Sequence, residues 1–510
     1  MTLAMLIVYF LCMIAVGVYC RRHATNVHGF VLGGRSVGPW LTAFAYGTSY
    51  FSAVIFVGYA GQFGFKYGIS AVWIGIGNAF LGSLLAWVIL GRRTRIMTQH
   101  LNSSTMPQFF SSRYGAPSLR IGASVIIFVF LIPYTASLYN GLSRLFGMAF
   151  HIDYSLCIVL MSVLTAIYVI LGGYMATAIN DFIQGIIMLF GIVAIIAALL
   201  MVNGGFMGSL ESLASISDPL TSSAPGIFAS FFGPHPLNLF FVVILTSLGT
   251  WGLPQMVQKF YAIESETAIK KGTVISTVFA VIIAGGCYFL GGFGRLFTSP
   301  ESVMANGYDA IIPEMLSHLS PFFIALAVVL VLSASMSTLA ALVLTSSSTL
   351  VMDFCKQTFT KNMEDKAQLM LIRILIVIFI AISAVIAIIQ YNSNVTFIAQ
   401  LMGISWGALA GAFLAPFLYG LYWKKTTPTA CWTSFLFAVI VMTANLFFRQ
   451  IFPPFLQSPI NAGVMTMAVS LVLVPVVSLI TKKPDAELVE SAFSCYETPK
   501  QAPQRVTLGK

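Results

Sequence analysis

Long apolar runs, many of about 20 residues, recur from one end of the chain to the other with short polar stretches between them. A run of that length crosses a hydrocarbon core of roughly 30 Å as a helix. In lipid every backbone N–H and C=O must find its partner inside the protein, and these runs are too long for barrel strands, so each is predicted to be a helix. The pattern predicts about 13 spans, at 3–20, 40–65, 70–91, 121–148, 154–172, 179–201, 237–261, 270–294, 320–352, 370–390, 394–421, 429–448 and 462–480.

Composition agrees with the pattern. Only 8% of the 510 residues are charged and 58% are hydrophobic, with a mean hydropathy of +0.91. A soluble domain carries about 25% charged residues, so an ordinary water-facing surface is excluded. The net charge of +10 would suggest nucleic acid in a soluble protein. Here the distribution of cations assigns it to topology. Of the 26 lysines and arginines, 22 fall on one side of the predicted spans and only Lys66, Arg144, Arg295 and Arg449 on the other. By the positive-inside rule the rich side is cytoplasmic, which places the N-terminus outside and the C-terminus inside and requires an odd number of spans. The first run lacks a basic segment before it and is read as a retained helix rather than a signal peptide. The expected location is the cell membrane. Residues 481–510 are polar, with Pro484, Pro499 and Pro503, and are expected to be a disordered cytoplasmic tail. The seven cysteines have no metal-like spacing and are expected to be packing residues.

No catalytic motif emerges. The six histidines sit in predicted loops, and HExxH, Walker and GxSxG patterns are absent. The glycines at 75–77, 291–294, 407 and 411 lie in apolar helices and suggest close helix packing. None of the sixteen carboxylates falls mid-span, and Asp181, at the expected start of the 179–201 helix, is the nearest. Proton-driven transport usually needs a buried titrating group. A coupling ion held by neutral oxygens suits Na⁺ better.

Three stretches depart from plain apolar helix. Tyr46-Gly47-Thr48-Ser49-Tyr50-Phe51-Ser52 is a polar, glycine-containing patch in the second span, and Thr246 to Gln255 is interrupted by Gly249, Gly252 and Pro254. Freed carbonyls at membrane depth are tolerated where they line a cavity or meet an ion. Counted from the second span, these are core helices 1 and 6, the matching positions of two inverted five-helix repeats with a site at the midplane. Core helix 8 carries Ser333-Ala334-Ser335-Met336-Ser337-Thr338. Hydroxyls there can bond back to their own helix, or face the unwound carbonyls as hard oxygen ligands.

Five segments carry a family resemblance: FVLGGRSVGPW (30–40), GGYMATAINDFIQG (172–185), GLPQMVQKFYA (252–262), SMSTLAALVLTSSSTLVMDF (335–354) and APFLYGLYWKKTTPTA (415–430). In this order they resemble the sodium:solute symporters, particularly the bacterial branch with sodium/proline and sodium/pantothenate symporters. The resemblance runs from about residue 3 to 480. It implies an all-α, leucine-transporter-like fold of 13 helices with an inverted five-plus-five core. Residues 1–37 would add a leading helix and loop, 38–201 and 236–421 would form the two repeats, and 422–480 two further helices. It also implies a transporter rather than an enzyme, with a small solute, Na⁺ and the bilayer as partners and no nucleic acid.

Carried onto this chain, the resemblance implies a sodium site from the carbonyls of Thr48, Phe51 and Ala334 with the hydroxyls of Ser337 and Thr338. A second sodium site of some members would need hydroxyls where Ala340 and Ala341 stand, so one Na⁺ per cycle is expected, with Asp181 helping its release or else capping its helix. Solute candidates are Tyr50, Ser52, Tyr134, Asn140, Thr246, Thr250, Trp251, Gln255, Gln400, Ser405 and Trp406. The proline branch has an aspartate where this chain has Tyr50, and tryptophans where it has Val54 and Thr246, which counts against proline itself. The expected solute is small and carboxylate-bearing: an amino acid, pantothenate or a monocarboxylate. Proton coupling or uncoupled facilitation on the same fold stays open as the alternative.

Overall fold

The computed structural model describes all residues except 1, 22–23, 151–152, 219–220, 222–223, 361, 394–397 and 498–510. Among the described residues the secondary structure is helical, and the isolated β-bridge pairs Val37 with Ile263. The first half contains α1 (Thr2–Cys20), α2 (Val27–Leu32), α3 (Pro39–Tyr50), α4 (54–67), α5 (72–100), α6 (Met106–Tyr114), α7 (Pro117–Phe150), α8 (Tyr154–Val202) and α9 (Gly205–Ser215). The second contains α10 (Pro236–Leu248), α11 (Pro254–Ala262), α12 (Glu266–Gly291), α13 (Pro321–Thr349), α14 (Asp365–Ser393), α15 (Ile398–Tyr422), α16 (Pro428–Phe447), α17 (Pro459–Ile480) and α18 (Ala486–Ser494).

Nine helices among the described residues are long and apolar enough to cross a membrane, and α10 with α11, bent by 48°, makes a tenth. Two of the nine contain a glycine in a non-helical conformation. Gly68 (φ 63°, ψ −145°) interrupts 54–100, and Gly173 (φ 55°, ψ −149°) interrupts α8. A side chain is excluded at both, since a Cβ on Gly68 would collide with the Phe228 backbone and one on Gly173 with Phe30. The span boundaries expected from the sequence, between 65 and 70 and between 172 and 179, fall at these glycines. The start expected at 394 lies outside the described residues.

Two expectations need correction. The loop expected between 172 and 179 is absent, because one left-handed glycine interrupts α8 and the helix resumes at once. Asp181 is therefore well inside a helix and does not cap its start. The tail is not disordered throughout. Asp485 caps α18, Val489, Ala492 and Phe493 are buried, and Ser491 O meets His100 Nε2 at 2.8 Å. Arg113 also lies over the Phe493 ring at 4.8 Å. This amphipathic helix has an apolar face to bury, which overrides the polar composition read from the whole tail. Residues 498–510 lie outside the described residues.

Burial separates an inner layer from a shell. The apolar stretch of α15 is 94% buried and that of α13 78%, against 33% for α8 and 39% for α14, α16 and α17. Phe190, Val193 and Met201 on α8 and Val472 and Leu479 on α17 are exposed, as lipid-facing side chains must be in a membrane protein. The glycines do what their setting suggested: Gly64 packs on Gly291, Gly75 on Gly285, and Gly407 on Gly463, each too close for a Cβ.

The arginine-rich end is tied shut. Val37 N donates to Ala262 O (3.2 Å) and Glu264 N to Val37 O (3.0 Å), joining the start of α3 to the end of α11. Arg35 reaches Tyr261 O (3.1 Å) and Ser103 O (2.5 Å), and Arg95 reaches Ile263 O (2.8 Å).

Candidate sodium and solute site

The helix ending at Tyr50 breaks because Phe51 is extended (φ −96°, ψ 98°), and helical geometry resumes at 54 through a wide turn. Ser52 manages the restart, its carbonyl accepting from Phe56 N (2.9 Å) and its Oγ from Val54 N (3.2 Å). Just before the break the Thr48 carbonyl points at α13. It accepts from Ser337 Oγ (3.1 Å) and Thr338 Oγ1 (3.0 Å). The same two hydroxyls also donate to the Ala334 carbonyl, at 3.0 and 3.1 Å. Four neutral oxygens from two helices thus converge in the interior, where Thr48, Ser337 and Thr338 are fully buried. The Thr48 hydroxyl is turned away to Phe44 O (2.9 Å), so Thr48 contributes through its backbone. Phe51 sits at the break and lines one small cavity with Ala334.

The second break is built differently. Leu253 is extended (φ −83°, ψ 121°), and Pro254 is the first residue of α11, where its missing N–H costs nothing. Thr246 Oγ1 bonds back to Val242 O (2.8 Å), Thr250 Oγ1 to Ser247 O (2.8 Å), and Trp251 Nε1 donates to Leu81 O (3.0 Å). Those three polar groups are already committed. Gln255 is the opposite case: both amide atoms are buried with no hydrogen-bond partner among the described residues.

Between the breaks stands an aromatic wall. The Tyr50 ring lies 5.8 Å from Trp406, which Tyr134 meets edge-on at 5.8 Å. Tyr50 donates its hydroxyl to the Thr246 carbonyl and so bridges the two broken helices. The Tyr134 hydroxyl and the Trp406 indole N–H are buried without partners among the described residues. The remaining candidates are elsewhere or engaged. Ser405 donates to Phe130 O (2.5 Å). Asn140 is held by Tyr154 and Gln390, and Gln400 accepts from Arg449 (3.0 Å) at the rim of a polar recess shared with Gln62 and Lys66.

Lys259 was missed as a site residue. Its ammonium is 3.8 Å from Asp181 and both side chains are buried. It lies inside the predicted 237–261 span, where a lysine is signal enough to ask for its partner.

Two broken helices, the first presenting a carbonyl to buried hydroxyls of α13, are the arrangement that secondary transporters of the inverted-repeat kind use around their sites. The profile of the sodium:solute symporter family matches residues 30–437. The sodium/proline symporters of Staphylococcus aureus strains JH9 and NCTC 8325 are each 30% identical over 511 residues, covering 95% of this chain and 94% of theirs. A solved Na⁺-coupled sialic acid symporter, in a substrate-bound outward-open state, superposes with a TM-score of 0.75 at 17% identity, over 95% of this chain and 98% of that one. The chain belongs to the sodium:solute symporter family. It is a multi-pass membrane protein with the leucine-transporter-like fold, and its function is sodium-coupled solute symport rather than enzymatic catalysis.

Proposed function

We propose that the chain imports a small carboxylate-bearing solute together with one Na⁺, and that the observation carrying this reading is the convergence of four neutral oxygens at the first break. The Thr48 and Ala334 carbonyls with the Ser337 and Thr338 hydroxyls supply hard ligands of the kind a small cation prefers, with the Phe51 carbonyl as the fifth. When the ion binds, the two hydroxyls turn their lone pairs to it. Because Tyr50 and Ser52 flank the break, the ion fixes one wall of the solute pocket, and the two ligands bind cooperatively. Tyr134, Trp406 and Gln255 bring uncommitted donors to that pocket, which suits a carboxylate. The arginine-rich end faces the cytoplasm, so the clamp between α3 and α11 opens for release.

One charge moving through 100 mV releases about 2.3 kcal/mol, and a tenfold Na⁺ gradient adds about 1.4 kcal/mol. Their sum, about 3.7 kcal/mol, supports accumulation of about several hundredfold at tight coupling. The test is solute binding to purified protein, with and without Na⁺, across amino acids including proline, pantothenate, short carboxylates and sugars. A ligand whose affinity rises with Na⁺, and whose Na⁺ response falls in Ser337→Ala, supports the reading. A ligand indifferent to Na⁺ but responsive to pH moves the coupling to a proton, and a sugar hit rejects the carboxylate.

A further inference from the structure

Three buried ion pairs invite comparison. Asp353 is bonded by Arg120 Nε (2.8 Å), Gln108 Nε2 (2.9 Å) and Thr105 Oγ1 (2.5 Å), so its carboxylate is well satisfied. Asp218 meets Arg295 at 3.0 Å and accepts a second bond from the Thr221 hydroxyl (2.7 Å). Asp181 differs from both. Lys259 Nζ stands off at 3.8 Å, the two side chains are 1% and 3% exposed, and neither carboxylate oxygen has a hydrogen-bond partner among the described residues. The Tyr174 ring lies 5.2 Å from the ammonium.

A buried carboxylate without a cation is strongly disfavoured. Lys259 supplies that cation, but a 3.8 Å separation with no supporting hydrogen bonds is poor geometry for a purely stabilising pair. The two residues also sit on different helices, Asp181 on α8 beyond Gly173 and Lys259 on α11 beyond the second break.

We propose that Lys259 is a tethered cation that occupies Asp181 in place of a mobile one, and so limits the ions carried per solute to the single Na⁺ of the Thr48–Thr338 cluster. The inference rests on the one-sodium reading above. Removing the ammonium leaves a buried carboxylate that recruits a second monovalent cation from water, Na⁺ or H⁺.

The experiment measures cation-to-solute flux ratios and the Hill coefficient for Na⁺ in proteoliposomes containing the full chain, using radioactive Na⁺ and an internal pH dye. The solute is the ligand found by the binding panel. Wild type is expected to show a ratio and a coefficient near one. Lys259→Met is expected to raise the cation ratio towards two, with a Hill coefficient above one if the second ion is Na⁺ or co-transported H⁺ if it is a proton. Asp181→Asn/Lys259→Met, which removes both charges, should return to one. A Lys259→Met protein with unchanged ratio and coefficient overturns the proposal. Should that variant fail to fold, the double variant decides: sodium-coupled uptake at a ratio of one supports it, and a folded protein without Na⁺ stimulation overturns it by making Asp181 a ligand of the coupling ion. Failure of the one-sodium reading appears separately, as a wild-type ratio other than one or as Na⁺ dependence that Thr338→Ala leaves unaltered.

Discussion

The two broken helices look alike in sequence and differ in what their breaks leave free. At Phe51 the chain presents a carbonyl, that of Thr48, to two hydroxyls from another helix. At Leu253 the Thr246 hydroxyl returns to Val242 O in its own helix, Thr250 is shared between Ser247 O (2.8 Å) and Gly82 O of α5 (3.3 Å), and Ser247 and the Trp251 indole also reach α5. The first break is therefore a candidate ligand for an ion. The second is a bend of 48° that carries Tyr50's acceptor on one side and the unpaired Gln255 and the paired Lys259 on the other. Interruption alone does not make a binding site. What decides is whether several neutral oxygens from two helices converge at the break, as the Thr48 and Ala334 carbonyls and the Ser337 and Thr338 hydroxyls do.

The sharpest way to break this contrast is at the hydroxyls of α13. Hydrogen bonds to a charged group are worth about 1.5–3 kcal/mol, so Thr338→Ala should raise the Na⁺ concentration for half-maximal uptake by about 10- to 100-fold. Unaltered Na⁺ dependence in that variant removes the site from the first break. Next in size is the aromatic wall. Trp406→Phe keeps a ring but deletes the uncommitted N–H, and a neutral hydrogen bond of about 0.5–1.5 kcal/mol implies a solute dissociation constant weaker by roughly two- to tenfold. Its Na⁺ half-saturation at saturating solute should not move, and an equal loss for both ligands would merge the two pockets. At the second break, Thr250→Val removes a hydroxyl already engaged by the Ser247 and Gly82 carbonyls. Its Na⁺ half-saturation should stay within about threefold of wild type, and a loss as large as that of Thr338→Ala would make the two breaks equivalent. The smallest effect is expected far from both. Truncation after residue 480 removes α18, which should lower the melting temperature by about a few degrees while leaving the solute KM and Na⁺ half-saturation unchanged in uptake assays.

Much of this was legible in one dimension. Helix positions followed from run length because lipid leaves the backbone no other partner. The extended residues Phe51 and Leu253 lie within the two stretches marked by glycine, proline and hydroxyls. Core helix 8 was readable for the same reason: Ser337 and Thr338 are adjacent hydroxyls in an otherwise apolar run. The missing loop at 173–178 and the docked tail were less legible. Both depend on local choices, one glycine in a left-handed turn and one amphipathic turn of helix, that composition averages away.

Sequence alone determined that the chain is a helical membrane protein, which of its helices are interrupted, and that its charges are swept to one side, because hydrophobic length, backbone satisfaction and loop charge are properties of segments. Pairings between segments required the tertiary structure. It alone decided that the Thr48 carbonyl meets two hydroxyls about 290 residues away, that Thr246 and Thr250 are already committed while Gln255 is not, and that Asp181 faces Lys259. Those facts depend on which helix faces lie against each other, and packing of small residues such as Gly64 on Gly291 fixes that at distances no local pattern encodes.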